Sequence, residues 1–460
     1  MKSIYLIILS LLSFTLADTI TCNATQQCPE SSPCCSQFGI CGSGAYCLGG
    51  CDIRYSYNLT SCMPMPRISD YSKTFDSKDD VQAIELQTQY LGNSSEADWV
   101  YTGWVDYYDN ALLLQMPNHT TGTVVSSTKY LWYGKVGATI KTSHGGGVVS
   151  AFILFSDVQD EIDFEYVGYD LIHPQSNYYS QGMLNYSNSR NSSVNNTFEY
   201  YHLYEMDWHE DYITWSVDSV DVRTLNKNDT WNDTTKRYDF PQTPSRIQFS
   251  LWPGGDPSNG QGTIEWAGGE IDWNAEDIQK YGYFYAHVKE IHVETRDLPA
   301  NVSMKDGNST NYDDYHAFLY DSTAGNEENI YLTNKKTWLG SDKATGFDPQ
   351  NENDNSNKNV TTTVIHTSGS STFTSVHTTQ EKATAQAVAQ NTAQANQVTA
   401  AQQNTNNNNN NGYQSTAGIG GFVQFSNPTG SSSVGGSNEI ISNSGSVLVA
   451  MFLGLVSYLF

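Results

Sequence analysis

The sequence has few positive charges. Lys and Arg together number 23 against 49 Asp and Glu, which gives a formal net charge of −26 over 460 residues. Binding to nucleic acid requires a basic surface that displaces counterions from phosphates, and adhesion to anionic lipid also requires basic residues. We therefore expect no nucleic-acid partner. Aromatic residues make up 12% of the chain, including 30 Tyr, and their faces suit neutral polymers.

Neither end of the chain has an apolar run long enough to span a membrane comfortably. Residues 4–16 are almost wholly apolar, follow Lys2 and precede a small residue, Ala17, which is typical of a secretory signal peptide over 1–17. At the other end, residues 447–460 are apolar and follow a polar spacer and small residues, the order of a GPI-attachment signal. We predict lipid attachment at Gly436 or Gly435, a propeptide over 437–460, and contact with the membrane only through this anchor.

Cysteine is absent outside one short segment: all eight lie between Cys22 and Cys62. An even number of cysteines in a short secreted segment indicates a disulfide-stabilised module, which we place at 18–65. A zinc site is the alternative, but the adjacent Cys34 and Cys35 and the oxidising secretory route argue against it. We expect no metal. The spacing alone leaves the pairing of the cysteines open.

Bulky apolar residues become scarce in the last quarter of the chain, where Ser, Thr, Asn and Gln dominate and residues 406–411 are all Asn. Such a composition cannot offset the entropy lost on ordering. We predict a disordered stalk over 303–436. By contrast, residues 71–302 contain aromatic and β-branched runs separated by Gly, Asn and Asp turns, which predicts an all-β fold large enough for one sandwich.

The most informative run in the β segment is Glu161, Asp163 and Glu165, which alternate with apolar residues. On a strand, these carboxylates share one face and the apolar residues between them face the core. Neighbouring carboxylates raise each other's proton affinity. Retaining glycoside hydrolysis uses two carboxylates about 5 Å apart with different pKa values. The Cα atoms of the two Glu residues would lie about 13 Å apart, close enough if the side chains lean together.

This pattern predicts Glu161 as nucleophile, Glu165 as acid and base, and Asp163 as the residue that hydrogen-bonds Glu161. The alternative is the solvated polar face of an exposed strand. The run also matches the Glu-x-Asp-x-Glu signature of glycoside hydrolase family sixteen, and residues 246–255 and 266–269 resemble the fungal Crh subgroup of that family.

The resemblance covers about 71–302 and implies a concanavalin-like β-jelly-roll sandwich, no cofactor, and the same three catalytic roles. It also implies contacts with chitin from Arg246, Trp252 and Thr263, with Trp266 a weaker candidate on the acceptor side. From the residues alone, Trp252 could equally be a core residue.

Residues 34–42 of the cysteine-rich segment resemble the centre of a hevein-type chitin-binding module. The resemblance implies the disulfides Cys22–Cys35, Cys28–Cys41, Cys34–Cys47 and Cys51–Cys62. It also implies that Ser36, Phe38 and Tyr46 contact sugar. Ile40 stands where an aromatic residue is often found, so a purely structural role for the module stays open.

Three functions are consistent with these features. The Crh resemblance implies a transglycosylase that cleaves a chitin donor and transfers it to a β-glucan acceptor, which cross-links the two polymers in a fungal cell wall. The alternatives are a retaining β-glycanase or chitinase that acts by hydrolysis, and a chitin-binding wall lectin or adhesin without catalysis. We expect a monomer, exported to the cell surface and GPI-anchored at the plasma membrane or cell wall.

Overall fold

The computed structural model describes residues 19–83, 91–340, 357–368 and 371–382. The strands, numbered in chain order, are β1 (Cys34–Cys35), β2 (Cys41–Gly42), β3 (Met65–Pro66), β4 (Tyr71–Thr74), β5 (Gln82–Ala83), β6 (Trp99–Thr102), β7 (Trp104–Tyr108), β8 (Ala111–Pro117), β9 (Thr123–Leu131), β10 (Gly134–Lys141), β11 (Val148–Ser156), β12 (Glu161–Val167), β13 (Gln175–Tyr179), β14 (Arg190–Asn191), β15 (His202–Trp208), β16 (Tyr212–Val217), β17 (Val220–Asn226), β18 (Trp231–Asn232), β19 (Arg237–Tyr238), β20 (Ser245–Pro253), β21 (Tyr283–Thr295), β22 (Ser303–Met304), β23 (Ala317–Tyr320), β24 (Ile330–Thr333), β25 (Asn357–Ser368) and β26 (Ser371–Lys382). The α-helices are α1 (Gln261–Trp266) and α2 (Glu276–Tyr281). Short 3-10 turns lie at Gly44–Cys47, Lys78–Asp80, Tyr186–Asn188, Lys227–Thr230, Tyr312–Asp314 and Glu327–Asn329.

Two eight-stranded sheets form the sandwich that the sequence predicts. Sheet A has the order β14-β13-β12-β11-β20-β9-β6-β5, and sheet B has the order β17-β16-β15-β10-β21-β8-β7, with β4 also paired to β21. The hairpin between β16 and β17 turns at Asp218 and Ser219, which both have positive φ, as the tight turn between two right-handedly twisted strands requires.

The core lies between the two sheets, and β12 contributes its apolar residues to it. Phe164 of sheet A packs against Tyr204 of sheet B with ring centroids 5.2 Å apart, and Tyr166 contacts the same tyrosine. Because side chains alternate along a strand, Glu161, Asp163 and Glu165 point to the face of sheet A that is turned away from sheet B. We call this the outer face of sheet A.

The cysteine-rich segment forms the predicted disulfides: Cys22–Cys35, Cys28–Cys41, Cys34–Cys47 and Cys51–Cys62. Its buried residues divide into two groups, and Cys22, Cys28, Cys35 and Cys41 form a small cluster of their own. Cys34, Cys47 and Leu48 belong to the same contiguous apolar cluster as Trp99 and Tyr130 of the sandwich. The module is therefore packed against sheet A and does not hang from a linker.

The prediction that the stalk starts at residue 303 is wrong, because the chain is folded through residue 340. Strands β22, β24, β23 and β3 form a small four-stranded sheet in that order. Within it, Phe318 and Leu332 are buried, and the Phe318 ring meets the edge of Trp132 at 5.4 Å. The reason is compositional: residues 315–339 still carry enough aromatic and aliphatic side chains to bury.

Strands β25 and β26 pair with each other and with no other strand of the described residues. The predicted signal peptide and the candidate attachment residues Gly435 and Gly436 lie outside the described residues. Within the described ranges, the structure contains no helix of sufficient length and apolarity to cross a membrane.

Candidate active site

The three acidic residues of β12 lie together on the outer face of sheet A, and they are buried. Glu161 is 6% exposed, whereas Asp163 and Glu165 are completely buried. On the core side, Trp215 Nε1 of sheet B donates a hydrogen bond to the main-chain oxygen of Asp163 at 3.0 Å, which holds β12 in place. The solvated strand face that the sequence left open as an alternative is therefore excluded.

Burial and the neighbouring carboxylates raise the proton affinity of Glu165. The pKa of Glu165 is raised well above its ordinary value, first by burial and then by the neighbouring charges of Asp163 and Glu161, while the amide of Asn177 acts weakly in the opposite direction. Neither Glu165 carboxyl oxygen has a hydrogen-bond partner of normal geometry among the described residues. A carboxyl that keeps its proton near neutral pH can act as a general acid.

Strand β13 supplies polar neighbours that the sequence analysis did not predict. The register places Tyr179 beside Glu161, Asn177 beside Asp163 and Gln175 beside Glu165. Burial is the main cause that raises the pKa of Tyr179, and the charges of the three acidic residues add to it. The tyrosine hydroxyl therefore stays neutral beside them. The sequence signal for this strand was weak, because Gln-Ser-Asn-Tyr-Tyr at 175–179 does not alternate polar with apolar residues and only its two tyrosines favour a strand.

Two of the predicted sugar contacts lie at the Glu165 end of the site. Trp252 is 1% exposed and its ring stacks on Trp266, with centroids 6.1 Å apart. Trp266 Nε1 donates to Gln175 Oε1 at 2.9 Å, and Gln175 is the neighbour of Glu165 in the register. The structure thus brings these tryptophans together beside the predicted acid.

Trp252 belongs to a small apolar cluster with Val149, Val167, Trp266 and Ala267, which is separate from the main core. Its Nε1 has no hydrogen-bond partner among the described residues. Thr263 is also buried and lies one helical turn before Trp266 in α1, so both residues share a face of the helix. The core-packing alternative for Trp252 is therefore correct in part: the ring is packed, but outside the core of the sandwich.

Arg246 is placed differently from the expectation. It lies in the same cross-strand row as Glu161, with Phe155 between them, but it is only 5% exposed. Its Nη2 donates a hydrogen bond to Gln37 Oε1 of the disulfide module, and the main chain of Gly49 packs on the guanidinium. The structure shows Arg246 in contact with the module, which covers it.

The predicted sugar contacts of the module, Ser36, Phe38 and Tyr46, are half-buried. Ser36 Oγ accepts a hydrogen bond from the Ile40 main-chain N–H at 3.3 Å, so it holds its own loop. The Tyr46 ring covers Gly42, where a Cβ atom would lie 2.3 Å from the ring. Gln37, which lies between Ser36 and Phe38 in the sequence, contacts Arg246 on the outer face of sheet A.

Comparisons with known proteins agree with this geometry. Residues 93–268, which include the three acidic residues, match the family model described as glycosyl hydrolases family 16. Crh-like protein UTR2 of Candida albicans is 67% identical over 450 residues, which cover 96% of this chain and 95% of that protein. The chain belongs to glycosyl hydrolase family 16. Within this family, the described fold and the Glu161–Glu165 run are those that the sequence resemblance implied, and the chain is a glycosidase-type enzyme.

Other family 16 relatives cover smaller parts of the chain. Congo red hypersensitive protein 2 of Saccharomyces cerevisiae is 50% identical over 331 residues, covering 71% of this chain and 69% of that protein. A solved structure, a Crh5 transglycosylase in complex with NAG, shares 28% sequence identity and covers 61% of this chain and 99% of that chain, with a TM-score of 0.48. The prediction of a Crh-like family 16 enzyme is confirmed.

Proposed function

We propose that this enzyme cleaves chitin by a retaining mechanism and transfers the released segment to a β-glucan acceptor. The observation that carries the proposal is the buried row of Glu161, Asp163 and Glu165 on the outer face of sheet A, in which burial and the neighbouring charges raise the pKa of Glu165. One carboxyl that holds a proton beside a second one available for attack is the arrangement that retaining glycosidases need.

The reaction has two displacements. In the first, the Glu161 carboxylate attacks the anomeric carbon while Glu165 gives its proton to the glycosidic oxygen, so that the carbon–oxygen bond breaks and a glycosyl–Glu161 ester forms. In the second, the Glu165 carboxylate takes the proton of an acceptor hydroxyl, whose oxygen attacks the same carbon and displaces Glu161. Asp163 hydrogen-bonds Glu161 and sets its orientation and ionisation.

Transfer prevails over hydrolysis only if an acceptor hydroxyl reaches the ester before water does. The enclosure of the acidic residues supports this, since a site that admits little water lets a docked acceptor react at a high effective concentration. Trp252, with its unpartnered indole N–H within the described chain, and Thr263 are the proposed chitin contacts, and Trp266 is the proposed contact on the acceptor side.

The disulfide module is proposed to hold chitin through Ser36, Phe38 and Tyr46. The enzyme is proposed to work as a monomer at the cell surface, attached to the plasma membrane or cell wall through a GPI anchor at Gly436 or Gly435. Both polymers would be reached there, because they are extracellular.

The test is incubation of the enzyme with chitin oligomers and fluorescent β-glucan oligomers, followed by product separation. We expect a fluorescent product longer than the acceptor. Glu161→Gln should abolish it while chitin binding is kept, because the amide is isosteric but cannot attack. Glu199→Gln, at an exposed position, is the matched control and should retain full activity. Shortened chitin without fluorescent product would indicate the hydrolase alternative, and unchanged turnover in Glu161→Gln would reject the catalytic assignment.

A further inference from the structure

The disulfide module occupies one end of the outer face of sheet A. Sheet A continues from β20 to β9 and β6, and module residues lie against both of these strands. The cavity left between the two parts is only about 30 Å³, and it is lined on the module side by Leu48, Gly49 and Met63 and on the sheet side by Val100 and Tyr130, among others. Nothing as large as a sugar fits there while the module is in place.

Gln37 of the module contacts two residues of β20 that lie in the cross-strand rows of the catalytic carboxylates. Its Oε1 accepts hydrogen bonds from Arg246 Nη2 and, at 3.4 Å, from Gln248 Nε2. The register places Arg246 in the row of Glu161 and Gln248 in the row of Asp163, each with one residue of β11 between. Gln37 therefore stands above β20, two strand spacings or about 10 Å from the carboxylates.

A second, buried contact fixes the module at this position. The main-chain N–H of Gly50 donates to Asp157 Oδ1 at 2.9 Å and to Tyr130 Oη at 3.2 Å, and Tyr130 Oη donates to the same Asp157 oxygen at 2.7 Å. Asp157 and Tyr130 are both buried. Gly50 has φ +87°, and a Cβ there would lie 2.7 Å from Gln37 Oε1. Lifting the module would break both hydrogen bonds of the Gly50 N–H and open the buried Asp157–Tyr130 pair to water.

From these contacts we propose that the module is the end wall of the substrate groove and that Gln37 is a residue that determines specificity at that wall. This inference rests on the proposed function. A chitin chain that crosses β12 in the direction of β20 meets Gln37 after a short, fixed number of sugar units. The enzyme therefore cleaves its donor at a fixed distance from one chain end.

The experiment uses the full chain and chitin oligomers of increasing length that are labelled at the reducing end, and it maps the position of cleavage by product size. For the unmodified enzyme, we expect one side of the cut to carry the same number of sugars at every donor length. Gln37→Ala removes the acceptor of both hydrogen bonds and should move or broaden the cleavage position by at least one sugar. Gln37→Glu, whose carboxylate accepts from the same two donors, should keep the original position.

Gln27→Ala is the matched control, because Gln27 lies exposed on the same module, and its products should equal those of the unmodified enzyme. Cuts scattered along long donors by the unmodified enzyme would overturn the end-wall inference and leave the proposed function intact. The same holds for an unchanged pattern in Gln37→Ala. Absence of any cleavage by the unmodified enzyme would instead count against the proposed function itself.

Discussion

At the scale of single residues, the account depends on how one strand sets the proton affinities of its acidic side chains. Glu165 is fully buried and has acidic neighbours on its own strand, and both conditions disfavour its charged form. A general acid must be protonated to act, so activity should fall as the pH rises through the pKa of Glu165. Residue identity alone does not produce this behaviour. It comes from the burial of the outer face.

Replacement of Asp163 by Asn tests this electrostatic coupling. Removal of the Asp163 charge takes away the largest charge effect that raises the pKa of Glu165, so the Glu165 carboxyl should lose its proton at lower pH. We expect the alkaline limb of the pH profile of kcat/KM to move down by about one pH unit, on top of a lower maximum rate.

The matched control is Asp106→Asn, at an exposed position of sheet B, which should leave the profile in place. An alkaline limb that stays where it is, or moves to higher pH, in Asp163→Asn would contradict the assigned cause of the Glu165 shift.

At the scale of secondary-structure elements, the sequence was most informative where a pattern is local. The alternation of acidic and apolar residues predicted the strand that carries Glu161, Asp163 and Glu165, which is β12 in the structure. Strand β13 was missed because its polar residues resemble those of a loop, although it provides the neighbours of all three carboxylates. Local propensity is a weak guide when a strand is stabilised by its partners on both sides.

The surroundings of Arg246 could not be predicted in this way. Its hydrogen-bond partner, Gln37, is 209 residues away in sequence. The family resemblance implied a contact between Arg246 and chitin, but that resemblance concerns the sandwich and carries no information on where a second module docks. A contact between two parts of a chain depends on their tertiary arrangement, which neither periodicity nor spacing encodes.

At the scale of the whole molecule, the sandwich, the disulfide module and the segment 303–340 form one packed unit. The module shares the main apolar cluster, and Phe318 and Leu332 of the later segment belong to the same cluster. Tyr133 Oη also donates a hydrogen bond to Glu327 Oε1 at 2.5 Å. Composition placed the end of the fold too early, because packing continues to the last buried side chain, Leu339.

Truncated chains distinguish the predicted end of the fold at residue 302 from the observed end at residue 340. A chain that ends at residue 340 should unfold at the same temperature as the longer protein. A chain that ends at residue 302 loses the burial of several large side chains, each contributing about 1.5–3 kcal/mol, which together approach the total stability of a typical domain. We expect it to aggregate or to melt far lower in a thermal scan followed by circular dichroism. Equal melting temperatures for the two truncated chains would show that residues 303–340 are dispensable for the fold.

The most direct test of the catalytic account is mass spectrometry of the trapped intermediate. Glu165→Gln cannot deprotonate an acceptor, so a chitin-oligomer donor with a reactive leaving group, which needs no acid, should load the enzyme and stay there. We predict a glycosyl adduct on the peptide that contains Glu161. An adduct on another residue, or steady turnover of this donor with inverted configuration and no adduct, would contradict the assignment of Glu161 as nucleophile.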